Sequence, residues 1–126
     1  MEDLNEFEQA VLKKLLAGDH PMLTVLRTQV QAARLASREY TGAGFYLSFE
    51  VPPEAPALPT QNFHFGDVDA AIDGLQHGAG FVVFVRGGCL DMLEGYSYDE
   101  PWPTEIRGFK LTYQREPRKL DIPAGE

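Results

Sequence analysis

The residues best placed to do chemistry sit on and beside one hairpin. Phe81-Val82-Val83-Phe84-Val85 leads into Gly87-Gly88 and returns along Cys89 to Tyr96. Two glycines allow a two-residue turn, because both central positions can take positive φ. That register sets Arg86 opposite Cys89, Val85 opposite Leu90, Val83 opposite Met92 and Phe81 opposite Glu94. Glu94 then closes an otherwise apolar face. A carboxylate buried there without a cation would have a raised pKa, which is how a general acid or base is prepared. The plainer expectation places Glu94 at a sheet edge, paired with Arg107, Arg38 or a tyrosine hydroxyl. A longer turn would slip the register by one residue and move Glu94 to the other face.

His77 is the second weak catalytic candidate. It opens His77-Gly78-Ala79-Gly80, a short glycine run of the kind that supplies oxyanion donors in lipase-like hydrolases. The chain has no Gly-x-Ser-x-Gly elbow to go with it, so a glycine-rich lead into a strand is the expectation. The three histidines, His20, His64 and His77, lack the close helical spacing of a zinc motif, and there is no Cys-x-x-Cys. No metal and no cofactor is expected. Phosphate-binding and dinucleotide-binding glycine loops are missing too, since Gly42-x-Gly44 lacks a third glycine. Cys89 has no evident base beside it and reads as a small strand residue.

Binding chemistry is better represented. Tyr96, Tyr98, Asp99, Glu100 and Trp102 fall in a stretch stiffened by Pro101 and Pro103. Aromatic groups held on a stiff loop offer contact area at low entropic cost. Asp99 and Glu100 add charge that suits a basic partner. The alternative is that Trp102 folds back as a lid on the core.

The whole chain carries the same sign. It has 126 residues and a formal net charge of −8. An acidic chain repels phosphate backbones, so nucleic acid is not an expected partner, whereas encounter with a basic protein is favoured. No apolar run reaches the roughly 20 residues of a membrane-spanning helix. The acidic N-terminus lacks an apolar signal core, and the lone Cys89 builds no intrachain disulfide. A cytoplasmic protein with no membrane role is the expectation.

The elements that must position these residues follow from hydrophobic period. Leu4, Phe7, Val11, Leu12, Leu15 and Leu16 recur at helical spacing, with Asp3 and Glu6 as the expected capping box and Gly18 beyond the end. His20 or Asp19 caps a second helix with Pro21 in its first turn, and Leu23, Leu26, Val30 and Ala33 face inward. The period then drops to two. Arg38 to Thr41 is extended, and Phe45, Leu47, Phe49 and Val51 alternate as a half-buried strand. Pro52 to Pro59 holds four prolines and cannot pair in a sheet. Phe63 to Phe65 and Val68 to Ile72 form two short strands or one bulged strand, with a helix over 68–75 as the alternative. Phe81 to Val85 reads as a central strand covered on both faces, and Phe109 to Tyr113 is the last strand. The expected architecture is α+β: an N-terminal helical hairpin packed on a mostly antiparallel sheet of about five strands. Residues 1–115 form the single domain and 116–126 a mobile C-terminal tail.

The segment Leu93-Glu94-Gly95-Tyr96-Ser97-Tyr98-Asp99-Glu100-Pro101-Trp102-Pro103, with His77-Gly78-Ala79-Gly80-Phe81 before it, resembles a group of small uncharacterised bacterial proteins. The resemblance implies a bacterial source and a shared fold, and brings no activity with it. The expected function is a non-catalytic protein-binding module, with an immunity-type protein as one version. The rival is a small-molecule binder or enzyme using Glu94 and His77. A homodimer, joined through a sheet edge or the aromatic loop, is the third reading.

Overall fold

The computed structural model describes residues 3–59 and 62–120. Its first helix, α1 (Glu6–Leu15), starts two residues later than the expected capping box. Asn5 is the cap: its side chain accepts from the Glu8 N–H at 2.8 Å, and Glu8 accepts from the Asn5 N–H at 3.0 Å. Asn5/Glu8 wins over Asp3/Glu6 because Glu8 has a second task. Its carboxylate, only 3% exposed, holds Arg38 through two bonds of 2.9 and 2.6 Å. The predicted stripe of Leu4, Phe7, Val11, Leu12, Leu15 and Leu16 is buried throughout.

Gly18 breaks the chain with φ +119°, and His20 caps the second helix, α2 (Pro21–Ala32), its Nδ1 accepting from the Met22 N–H at 3.1 Å. α2 stops one residue short of Ala33, and the strand period begins at Arg34. The expected helical hairpin is not shown. α1 packs over β4 (Val68–Ile72) and β7 (Phe109–Tyr113), and α2 over β6 (Cys89–Ser97).

The sheet has seven strands, two more than the sequence suggested. Besides β4, β6 and β7 it contains β1 (Arg34–Tyr40), β2 (Gly44–Glu50), β3 (Phe63–Phe65) and β5 (Ala79–Arg86). The order is β1-β2-β6-β5-β4-β7, and every pairing is antiparallel. The extra strands come from β1, which begins at Arg34 rather than at Arg38, and from the split of 63–72 into two. β3 and β4 share one edge of β5 with their registers offset by one residue across Gly66-Asp67. No helix forms over 68–75; Val68, Ala70 and Ile72 alternate inward as a strand requires.

Both helices cover one face of this sheet, and the core lies between. Phe7 anchors it, with its ring 5.8 Å from Phe81 and 5.0 Å from Phe109. The face away from the helices carries half-buried Val82 and Phe84, so β5 is fully covered on one side only. The expectation of burial on both sides holds for its Ala79, Phe81, Val83 and Val85 face alone.

One polar side chain is wholly enclosed. Gln29 of α2 donates to the carbonyls of Pro56 and Gly88, each at 3.0 Å, and accepts from the Leu90 N–H at 2.8 Å. Burying an amide is costly unless its donors and acceptor are used, and here they are. Gln29 thereby ties α2, the proline loop and the β5–β6 turn together. The segment after β7 is tied down at the opposite end. Arg118 grips Asp67 at 2.8 and 3.0 Å and donates to the Leu15 and Ala17 carbonyls, among the unsatisfied oxygens at the end of α1. Within the expected tail, Arg118 makes these bonds and Leu120 packs against the core, and 121–126 lie outside the described residues.

Candidate functional site

The β5–β6 turn forms as its glycines require, with φ +59° and +80° at Gly87 and Gly88. Arg86 faces Cys89 and Val85 faces Leu90, as expected. Beyond that point the register slips. Phe84 pairs with Met92, Val83 with Leu93 and Val82 with Glu94, leaving Asp91 as an extra residue in β6. This is a β-bulge, and it flips every later side chain to the opposite face. Leu93 enters the core with no exposure, and Glu94 leaves it. Glu94 therefore does not close the apolar face of the hairpin. The slip came from a bulge rather than from a longer turn.

Glu94 instead lies on the open face, where the Tyr46 hydroxyl donates to it at 3.1 Å. That bond, made to a carboxylate, holds the Tyr46 phenol above its ordinary pKa. Tyr46 is the cross-strand partner of Glu94, so sheet pairing alone brings the two together.

Tyr96 follows on the same face two residues later, opposite Gly80. A Cβ at Gly80 would collide with the hydroxyls of both Tyr96 and Tyr98, so glycine there makes the room the two rings use. Their centroids are 5.6 Å apart with planes at 82°, an edge-to-face pair. The Tyr98 hydroxyl donates to Asp69 at 2.8 Å, and the Gln114 amide donates to the same oxygen at 3.2 Å. Burial, reinforced by the Asp69 carboxylate, pushes the Tyr98 phenol well above the usual tyrosine value. The open face thus carries Tyr46, Tyr96 and Tyr98, the carboxylates Glu94 and Asp69 bonded to them, and the apolar groups Val82, Phe84 and Met92.

The rest of the aromatic loop has internal duties. Trp102 packs edge-on against Phe45 at 5.3 Å and lies 6.3 Å from Phe7, while its backbone N–H donates to the Gly42 carbonyl at 3.0 Å. It lies over the edge of the core, as the lid alternative required. Glu100 accepts the backbone N–H groups of Gln76 and His77 at 3.0 and 2.7 Å, and these bonds hold its carboxyl below the usual glutamate value. Asp99 is exposed, with φ +64° at the tip of the turn.

His77 is exposed in the loop that Glu100 braces. Glu94 pairs with Val82, which lies roughly 10 Å up the strand from Ala79 at about 3.3 Å per residue, and His77 precedes that end. The two catalytic candidates are not brought together. Among the described residues no three His, Cys, Asp or Glu side chains converge to hold a metal ion, and no helix is long and apolar enough to cross a membrane.

Sequence reasoning missed Tyr46, Asp69 and Gln114. Tyr46 carried a signal, since it stands on the polar side of an alternating strand. Asp69 and Gln114 carried none, because their meeting with Tyr98 depends on the order of strands. Comparison with protein-family models, curated proteins and solved structures finds no match to this chain.

Proposed function

We propose that this protein is a non-catalytic binding module that engages a basic protein partner through the open face of its sheet and the loop after β6. The observation that carries the reading is the row of Tyr46, Tyr96 and Tyr98 set against Glu94 and Asp69 on a face that neither helix covers. Tyrosines supply amphipathic contact area with few rotors to freeze, and the carboxylates supply sites for lysine or arginine. The chain's −8 charge speeds encounter with such a partner and disfavours nucleic acid.

An immunity-type inhibitor of a basic toxin is one version, resting on size and charge. The lone cysteine suits a reducing, cytoplasmic setting, and a bacterial source rests on the resemblance alone. The rival is a small-molecule binder or enzyme using Glu94, His77 and Tyr96 or Tyr98, and only its joint acid–base version requires Glu94 and His77 in one site. A homodimer remains a separate proposal, with the exposed β1 edge and Tyr40, 62% exposed, as its surface. Sedimentation analysis decides it.

The test of the main reading has two stages. A partner is isolated by affinity capture from the native lysate, purified, and titrated against wild type, Glu94→Lys and Tyr96→Ala. Both variants are first confirmed folded by NMR. Affinity is expected to fall about tenfold or more in each, and to weaken with salt. Glu54→Gln in the proline loop is expected to change nothing. Equal affinity for wild type and both variants, or a partner that is acidic, overturns the reading. Trp102→Ala is unsuited to this purpose because the ring packs on the core.

A further inference from the structure

The cations of this acidic chain are not evenly spread. Arg115, Arg118 and Lys119 fall within five consecutive residues, directly after β7. The fold turns this stretch against the junction of β3 and β4. It forms one wall of a groove of about 660 Å³, whose other walls include His64, Gly66, Val82 and Gln114.

The charge balance inside the groove is set by an internal pair. Asp67 is the carboxylate that lines it, and Arg118 takes both its oxygens at 2.8 and 3.0 Å, each residue's side chain being 14% exposed. That pair is neutral and largely withdrawn from water. Arg115 and Lys119 are left on the rim, and among the described residues neither has a carboxylate within ion-pair distance. His64 adds ring nitrogens, and Gln114 an amide. Half-buried Val82 and Leu120 supply an apolar floor.

We infer that this groove binds a small organic anion, a phosphate or carboxylate group carried on a short apolar body. The guanidinium of Arg115 and the ammonium of Lys119 take the acidic group through charge-assisted hydrogen bonds. Val82 and Leu120 cover the apolar part. A polyanion such as nucleic acid is a poor fit, because the −8 charge of the chain repels it beyond the groove. The groove borders the tyrosine face, since Val82 is the cross-strand neighbour of Glu94 and Gln114 donates to Asp69, but its cations, Arg115 and Lys119, belong to the segment after β7.

The test uses phenyl phosphate, with benzyl alcohol as its neutral counterpart, followed by amide NMR shifts. Phenyl phosphate is expected to saturate below about 10 mM, with its largest shifts at Gly66, Val82 and Gln114. The double variant Arg115→Gln/Lys119→Gln should weaken it about tenfold or more, and both side chains are exposed, so the fold should survive. Arg107→Gln, an exposed cation elsewhere, should leave binding unchanged. Failure to saturate, equal binding by the double variant, equal binding of benzyl alcohol, or shifts centred outside the groove each overturns the inference.

Discussion

The two faces of the seven-stranded sheet are built from the same strands and do opposite jobs. On the helix side, Phe45, Leu47, Val68, Phe81, Val83, Leu90 and Leu93 are closed to water. The polar groups admitted there, Glu8, Gln29 and Ser97, have bonds made within the protein. On the other side, Tyr46, Glu94, Tyr96, Tyr98 and Asp69 make hydrogen bonds yet keep part of their surface exposed. Burial selects for complete satisfaction, since an unpaired polar group in the core costs about 1–3 kcal/mol. The open face is under no such demand, because water can meet the remaining hydrogen-bonding capacity of its groups. The bulge at Asp91 decides which β6 residues belong to which face.

The largest effect should come from testing that bulge. Leu93→Ala is expected to destabilise the fold by about 3 kcal/mol, whereas Glu94→Ala, one residue further on, should cost no more than about 0.5 kcal/mol. Urea unfolding with unchanged slope measures both. With an unbulged hairpin the order would reverse, so a larger cost at Glu94 rejects the observed register.

A smaller effect is expected at Tyr98. Tyr98→Phe removes the bond to Asp69 and should cost about 1 kcal/mol. Because the folded phenol titrates above its unfolded value, its contribution is fully present below that unfolded value and is lost as pH rises through the folded one. Ultraviolet titration of wild type should show two tyrosines, Tyr46 and Tyr98, ionising late, and Tyr98→Phe should remove one of them. A wild-type profile with every tyrosine titrating normally would contradict the placement of this ring.

The smallest effect concerns the brace beneath the loop. Glu100 is depressed by the Gln76 and His77 N–H groups, so its contribution is present above the unfolded value and lost as pH falls through the folded one. The amide shifts of Gln76 and His77 should report a midpoint below that of an ordinary glutamate. Glu100→Gln should abolish this titration. Persistence of the same midpoint in the variant assigns it to another group and separates Glu100 from the loop.

Much of the architecture was legible from residues alone. The apolar stripe of α1, the His20-Pro21 start of α2, the strand alternation at 45–49 and the Gly87-Gly88 turn are local patterns. Each depends on spacing within a few residues and on backbone preferences that need no distant partner. The aromatic, acidic character of 96–102 was equally plain, as was the charge of the whole chain.

The division of that loop into Trp102 and Glu100, which serve the fold, and Tyr96 and Tyr98, which face outward, was decided only by packing. Trp102 needed Phe7 and Phe45 to cover it, and Glu100 needed the backbone of Gln76 and His77. The bulge at Asp91 was hidden because Leu90 and Leu93 are three apart, and strand alternation gives no reason to place both on one face. A slip of one residue becomes favourable only when the core has room for Leu93 and water has room for Glu94. Spacing along the chain therefore determined the elements, while burial free energy, which depends on what lies across the sheet, decided which side chains stayed on the open face.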